Sequence, residues 1–250
     1  MDQTVITQRI IDKNKLEVAI KDIQSMSHED YALSRKNYFG ASDSSILCGV
    51  NLYKTLDDLI KEKNCKFITD EEKEVGEKAI VRKGFDLEPV ILDKAFAELE
   101  KEGFMGILAK PEDMFKFKDV DGLSVNYDGV FISDTLMVPV EAKLVSKYGE
   151  KYYNKNNTML QMKSVIVDGD SSNLEQHIKR VALRLGIPAY YYTQCQQEIA
   201  GLDAPYGFLA AMFDDTWTFK LFYVPRDEYV INSIYKLCES NINKIERDTK

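Results

Sequence analysis

The stretch Leu123–Val145, LSVNYDGVFISDTLMVPVEAKLV, decides the fold because it has the pattern of two adjacent β-strands. Both LSVNYDGVFI and LMVPVEAKLV are rich in β-branched and aromatic residues, and the turn-prone SDT separates them. With Asp134 and Thr135 as the central residues of the turn, Asp128 directly faces Glu141 across the hairpin. The stretch therefore predicts two neighbouring carboxylates inside an apolar run.

Carboxylates that face each other across a hairpin repel unless a positive charge lies between them. Opposed Cβ atoms are about 4.5–5.5 Å apart, and Mg²⁺ prefers oxygen ligands while keeping several of its waters. Lys143 projects from the same face as Glu141, because it lies two residues further along the strand. Asp128, Glu141 and Lys143 thus form a pattern typical of metal-dependent nucleases. An edge strand with a solvated outer face explains the same alternation equally well.

The composition is that of an ordinary globular protein: 250 residues, 44% hydrophobic and 30% charged. A net charge of −8 disfavours binding of polyanions over the whole surface, so a nucleic-acid site needs locally concentrated lysines and arginines. The N-terminus lacks the order of a secretory signal, and no apolar run reaches the roughly 20 residues of a membrane span. We therefore expect a cytoplasmic protein without a membrane partner. The four widely spaced cysteines predict reduced thiols.

Helical and strand patterns alternate along the chain and predict an α/β fold of the mixed α+β kind, a mixed sheet flanked by helices. Residues 5–25 indicate a helix or an arm, and residues 77–103 a long helix in which Pro89 favours a kink or a boundary near Leu87 and Glu88. AYYYTQCQQEIAGL indicates a helix after Pro188. PYGFLAAMF and TWTFKLFYV indicate a second pair of strands, the latter of which includes Trp217. The residues from Arg226 onward indicate a last helix. Residues 146–173 fit a mobile loop or an insertion.

Five stretches of the sequence carry a resemblance to a known family. They are YFGASDSSILCGVNLYKTLDDLIKEK, GFDLEP, VNYDGVF (with Asn126 and Tyr127 where serine and proline are usual), VPVEAKLV and IPAYYYTQCQQEIAG. In this order they resemble the motifs of the viral-recombinase exonucleases, the YqaJ or lambda-exonuclease group of the PD-(D/E)XK nucleases. The resemblance implies a restriction-endonuclease-like core over 34–230 within a single nuclease domain of residues 1–250, with an N-terminal helix or arm over 1–33 and a C-terminal helix over 231–250.

This resemblance implies metal-binding and catalytic roles for five residues. Asp128 and Glu141 are expected to bind Mg²⁺ or Mn²⁺, with the Ala142 carbonyl as a third ligand. Glu88 resembles the helical acid that completes the metal shell through a second ion or a water. Lys143 is expected to position or deprotonate the attacking water.

A second group of residues resembles the part of the family's site that contacts DNA. Gln194, with Gln197 as a rival, resembles the glutamine near the attacking water. Arg35 and Ser42 have the spacing with which the exonucleases bind the 5′-terminal phosphate, a chemistry suited to a guanidinium and a hydroxyl. Tyr190 lies one turn before Gln194 and is expected to pack or to contact DNA.

The resemblance implies a Mg²⁺-dependent exonuclease that acts on double-stranded DNA ends, from 5′ to 3′, in phage-type recombination or repair. Its setting is a bacterial cell or a phage-infected host, and its implied partners are further copies of the chain, as a trimer, and a single-strand annealing protein. Two alternatives remain open. One is a Cas4-like or RecB-like nuclease, whose iron–sulfur cluster requires bunched cysteines. The other is a catalytically silent nuclease fold that binds DNA or protein.

Overall fold

A five-stranded mixed sheet lies at the centre of the computed structural model, which describes residues 2–13, 15–167 and 173–247. The strands are β1 Leu16–Ile20, β2 Ile107–Ala109, β3 Met114–Phe117, β4 Ser124–Val125, β5 Gly129–Ile132, β6 Met137–Val145, β7 Tyr206–Phe213 and β8 Phe219–Pro225. The helices are α1 Gln3–Lys13, α2 His28–Arg35, α3 Ser44–Leu47, α4 Leu56–Asn64, α5 Asp70–Glu77, α6 Ala79–Lys101, α7 Met159–Lys163, α8 Leu174–Leu185, α9 Ala189–Gly201 and α10 Glu228–Asn241.

The strand order of the central sheet is β2-β5-β6-β7-β8. β5 and β6 form an antiparallel hairpin, β7 runs parallel to β6, and β8 returns antiparallel to β7. The parallel step requires a crossover, which contains α8 and α9. β1, β3 and β4 form a smaller antiparallel sheet. The prediction of a mixed sheet flanked by helices is confirmed.

The register of the β5–β6 hairpin agrees with the register predicted from its turn. Gly129 pairs with Val140 and Ile132 pairs with Met137. The Ser133 N–H donates to the Leu136 carbonyl at 2.9 Å, which closes a turn with two central residues. Since a two-residue turn fixes every later pair, Asp128 and Glu141 occupy the next opposed positions beyond β5.

Two glycines allow helices to pack closely on opposite faces of the sheet. A Cβ on Gly129 would lie 2.9 Å from Leu92 of α6, and a Cβ on Gly207 would lie 3.0 Å from Ile199 of α9. A side chain at either position would force the neighbouring side chains to move. The side chains of β6 therefore point alternately toward α6 and toward α9.

The single strand predicted for LSVNYDGVFI is wrong, because the structure divides it between the two sheets. β4 belongs to the small sheet and β5 to the central one. Between them Tyr127 is buried, and its hydroxyl donates to the Glu198 carbonyl at 3.3 Å. This tertiary contact turns the chain and places Asp128 at the start of β5.

Three other expectations need correction. α6 continues without interruption through Pro89, so the helix boundary that this proline suggested is absent; the apolar face that α6 buries against the sheet outweighs the lost backbone hydrogen bond. Within residues 5–25, Leu16–Ile20 forms a strand rather than helix, because it pairs with β3. Trp217 lies in the turn before β8, is 54% exposed and has a positive φ of 51°.

Part of the segment 146–173 has regular structure. A 3₁₀ turn spans Glu150–Tyr152, and α7 follows with a capping box at Thr158. Residues 168–172 lie outside the described part of the chain. No described helix combines the length and the apolar character that crossing a bilayer requires.

Candidate active site

The two carboxylates predicted to face each other meet at the end of the β5–β6 hairpin. The Ala142 N–H donates to Asp128 Oδ2 at 2.9 Å, which holds that carboxylate beside the backbone of β6. Glu141 is only 1% exposed and lies on the face of the sheet that α9 covers. The hairpin thus brings together a buried glutamate and a half-buried aspartate.

Glu141 is surrounded by hydrogen-bond donors as well as by acids. The Lys143 ammonium donates to Glu141 Oε1, and Gln194 Nε2 of α9 donates to the same oxygen at 2.5 Å. Burial, reinforced by the Asp128 carboxylate, nevertheless raises the pKa of Glu141 to about 7. The hydrogen bonds from Lys143 and Gln194 do not fully offset burial and the nearby charge of Asp128.

Glu198 is a further acid of this site, and no sequence motif marked it. It is 1% exposed, and Gln194 Nε2 donates to its Oε1 at 3.1 Å. Burial and the Glu141 carboxylate raise the pKa of Glu198 well above its usual range. The detectable signal was its position four residues after Gln194, which places both side chains on one face of α9.

Lys143 is a fixed cation in this arrangement. Its Nζ lies 5.3 Å from the centre of the Tyr191 ring, on the side of the cleft that α9 forms. Although burial opposes it, the Glu141 and Asp128 carboxylates raise the pKa of Lys143 well above its usual range. The lysine therefore carries its proton at neutral pH.

Glu88 reaches the same cleft from α6. Its carboxylate accepts from Lys110 Nζ at 2.5 Å. Burial first, and the Asp128 carboxylate second, raise the pKa of Glu88. Glu88 therefore lies close enough to Asp128 for the two charges to interact.

The donor set suits a hard divalent cation held by few protein ligands. Among the described residues no three acidic, histidine or cysteine side chains converge as a preformed metal cage. Asp128 and Glu141 nevertheless offer carboxylate oxygens with uncompensated negative charge, and Mg²⁺ typically binds one or two carboxylates together with water and substrate phosphates. The residues present therefore fit such an ion.

Arg35 and Ser42 are in contact at the edge of the cleft. Arg35 Nη2 donates to Ser42 Oγ at 3.3 Å, and both side chains are exposed. The guanidinium also lies 5.6 Å from the centre of the Tyr31 ring. The Tyr31 hydroxyl is buried without a hydrogen-bond partner among the described residues. Tyr31 is a second residue that the sequence analysis missed, since no motif marked it.

The two glutamines proposed for one role differ in their surroundings. Gln194 donates to Glu141, whereas Gln197 is fully buried and donates to the carbonyls of Phe39 and Ser124. Gln197 therefore ties α9 to the backbone of neighbouring segments. Gln194 is the glutamine that reaches the acidic site.

These side chains surround one open cleft of about 690 Å³. Ser42, Glu88, Asp128, Lys143, Tyr190 and Gln194 all line it, together with several further tyrosines. Some lysines of this region are already paired: Lys83 with Asp214 and Lys155 with Glu150. Both acidic and basic side chains line the cleft.

The cysteines do not gather as an iron–sulfur cluster requires. All four are free thiols, and Cys48, Cys195 and Cys238 are buried. Within the described ranges none of them joins a group of three ligating side chains. This arrangement disfavours the Cas4-like alternative.

Comparisons with known proteins agree with this fold. Two structures of LHK-Exo, an alkaline exonuclease from Laribacter hongkongensis, one of them in complex with dAMP, are similar to this chain with TM-scores of 0.55 and 0.54. Each is 15% identical to it, and the alignment covers 87% of this chain and 92% of LHK-Exo, which shows a shared fold. A comparison with curated protein sequences found no match. The model of the YqaJ-like viral recombinase domain matches residues 30–202, and the chain therefore belongs to that family.

Proposed function

We propose that this protein is a metal-dependent DNA exonuclease that hydrolyses phosphodiester bonds at duplex ends from the 5′ side. The observation that carries the proposal is the meeting of Asp128 and Glu141 across the β5–β6 hairpin, with the Lys143 ammonium beside them. Family membership and the likeness to an alkaline exonuclease support the same reaction class.

Asp128 and Glu141 are the proposed ligands of Mg²⁺ or Mn²⁺, with Glu88 as an outer ligand through water or a second ion. When bound, the ion polarises the scissile phosphate and lowers the pKa of a coordinated water. Glu141 must give up both its proton and its contact with Lys143 to serve as a ligand. The pKa of about 7 makes this exchange feasible near neutral pH.

Lys143 and Gln194 are the proposed orienting groups for the attacking water. Because Lys143 is protonated, its role is to donate hydrogen bonds and to stabilise negative charge that develops on the phosphate oxygens. The Gln194 amide, which already donates to Glu141, fixes the position of that carboxylate. The same amide also donates to the buried Glu198, which helps to hold Gln194 in place.

Arg35 and Ser42 are the proposed binding site of the 5′-terminal phosphate. A guanidinium and a hydroxyl in contact provide donors of the kind that a phosphate dianion accepts. Both groups are exposed, so an incoming strand end can reach them. Binding of the phosphate at this position would place the first phosphodiester bond toward Asp128 and set the 5′-to-3′ polarity.

Hydrolysis of end-labelled duplex DNA with and without Mg²⁺ or Mn²⁺ tests the proposal. The wild-type protein should release nucleotides from 5′-phosphorylated ends only with the ion present. Glu141→Gln and Lys143→Ala should abolish or strongly reduce release. Glu175→Gln, which alters an exposed acid on α8 outside the cleft, is the matched control and should retain the wild-type rate. Wild-type activity in either site variant would refute the mechanism.

Family membership extends the proposal to partners. We propose a homotrimer and an annealing protein that receives the exposed single strand, both by the family resemblance. Light scattering of the purified protein tests the first proposal, and a mass near that of one chain would contradict it.

A further inference from the structure

Three exposed tyrosines stand at the mouth of the cleft. Tyr53 is 81%, Tyr148 85% and Tyr152 41% exposed, and all three line the same cleft as Asp128 and Lys143. Large apolar rings that are left in water beside a site indicate contact with a ligand. None of these three residues has a part in the hydrolytic chemistry described above.

Hydrogen bonds hold the backbone at Tyr53 and at Tyr152, so their rings project from ordered segments. The Tyr53 N–H donates to Asn51 Oδ1 at 2.8 Å, and Asn51 in turn donates to Ser45. In the second segment the Tyr152 N–H donates to the Gly149 carbonyl at 3.1 Å. An ordered backbone limits the entropy lost when a ring binds a partner.

Tyr153 anchors the segment that carries Tyr148 and Tyr152. Its ring packs edge-on against Phe213 at 5.4 Å and lies 5.7 Å from Phe222, which fixes this residue to the central sheet. Tyr152, the next residue toward the N-terminus, is left on the cleft side. One tyrosine therefore holds the segment while its neighbours face the mouth.

The tyrosines from the two segments approach one another across the cleft. Burial, followed by the hydroxyls of Tyr191, Tyr53 and Tyr152, raises the pKa of Tyr190, so these hydroxyls share one neighbourhood. The ring centres of Tyr190 and Tyr191, both on α9, lie 4.5 Å apart. The mouth is thus bordered by aromatic rings from the loop after α3, from residues 146–153 and from α9.

Two exposed lysines accompany the rings. Lys151 Nζ lies 5.0 Å from the centre of the Tyr152 ring, and Lys147 precedes Tyr148. Neither lysine has a carboxylate partner among the described residues. This pairing of aromatic faces with a few cations is typical of surfaces that bind single-stranded nucleic acid.

We propose that Tyr53, Tyr148 and Tyr152 form a stacking site for the bases of an unpaired strand at the cleft mouth. The inference rests on the proposed function, since that function supplies the strand. In addition to the phosphate contacts already proposed, the protein would then bind the faces of the substrate's bases. A chain with a net charge of −8 has little general attraction for a polyanion, so stacking supplies affinity that charge does not.

Binding of two oligonucleotides in EDTA, where no hydrolysis takes place, tests the stacking site. The probes are a 5′-phosphorylated, 3′-labelled decathymidylate and an abasic strand of the same length, each followed by fluorescence anisotropy. The wild-type protein should bind the thymidylate at least tenfold more tightly than the abasic strand. Tyr53→Leu, Tyr148→Leu and Tyr152→Leu should each weaken thymidylate binding about tenfold and leave abasic binding unchanged.

Phenylalanine at the same positions separates stacking from hydrogen bonding. The phenylalanine variants should bind within about twofold of wild type, because the ring face is kept and only the hydroxyl is lost. Phe67→Leu removes an exposed ring that does not line the cleft and should leave both affinities unchanged. All these substitutions lie on the surface, so the fold, checked by circular dichroism, should persist.

Two results would overturn the inference. One is equal affinity of the wild-type protein for the two strands. The other is a phenylalanine variant as weak as its leucine counterpart, which would assign the effect to the hydroxyl. Loss of hydrolysis in the wild-type protein with metal would instead refute the proposed function, and base-dependent binding would still be measurable.

Discussion

The pKa of Glu141 leads to a quantitative prediction for metal binding. A change of pH from 8 to 6 alters the protonation of Glu141, one of the two proposed carboxylate ligands. With a pKa of about 7, about nine tenths of Glu141 is ionised at pH 8 and about one tenth at pH 6. Because a carboxylate must be deprotonated to bind a metal, the apparent affinity should fall about tenfold.

The direction of this change in metal affinity follows from the raised pKa of Glu141. Burial and Asp128 disfavour the charged form of Glu141, so protons compete with the metal up to a higher pH than at an ordinary glutamate. An ordinary glutamate, with a pKa of about 4.3, would stay ionised across the whole range and would produce almost no change. The pH range from 6 to 8 therefore distinguishes a buried, charge-coupled ligand from a solvated one.

Isothermal titration with Mn²⁺ at pH 6, 7 and 8 measures this effect. Uptake of the ion should release close to one proton at pH 6 and almost none at pH 8, which buffers of different ionisation enthalpy reveal. In Glu141→Gln the affinity should be at least about 100-fold lower and independent of pH. Equal affinity of the wild-type protein at pH 6 and pH 8 would refute the assignment of Glu141 as a buried ligand.

Three further outcomes are expected. Lys143→Ala should lower the rate of hydrolysis about 100-fold or more and leave Mn²⁺ affinity equal or higher, since its ammonium competes with the ion for Glu141; parallel loss of binding and rate would contradict this. Arg35→Ala should reduce the preference for 5′-phosphorylated over 5′-hydroxyl duplex ends about tenfold, as competition between the two substrates will show, whereas an unchanged preference would place the phosphate elsewhere. Gln197→Leu should lower the free energy of unfolding, measured in urea, by about 1–3 kcal/mol, because two buried carbonyls lose their donor. Gln194→Leu should lower activity without a comparable loss of stability. The reverse pattern would exchange the roles of the two glutamines.

The sequence predicted the part of the site that depends on local geometry. A two-residue turn at Asp134 and Thr135 sets the register of the whole hairpin, so Asp128 and Glu141 could be paired without any tertiary information. Arg35 and Ser42 became neighbours for a comparable reason, because only a short turn separates the helix that carries Arg35 from the loop of Ser42.

The errors arose where tertiary packing outweighs local preference. Pro89 ends helices in isolation, but the buried apolar face of α6 continues the helix through it. Tyr127 has a high strand propensity, yet its burial under α9 breaks the strand in two. Glu198 lies one helical turn after Gln194, but only the fold shows that its side chain contacts the acidic site. Tyr31 belongs to no sequence motif, and only the fold shows that its ring lies beside the Arg35 guanidinium.

Anomalous scattering from crystals of the protein grown with Mn²⁺ and a short 5′-phosphorylated duplex would test the central claim most directly. We expect a manganese peak between the carboxylates of Asp128 and Glu141, with Lys143 moved off Glu141 toward the scissile phosphate. Manganese bound elsewhere on the chain, while the crystals still cleave the duplex, would show that this carboxylate pair is not the catalytic metal site.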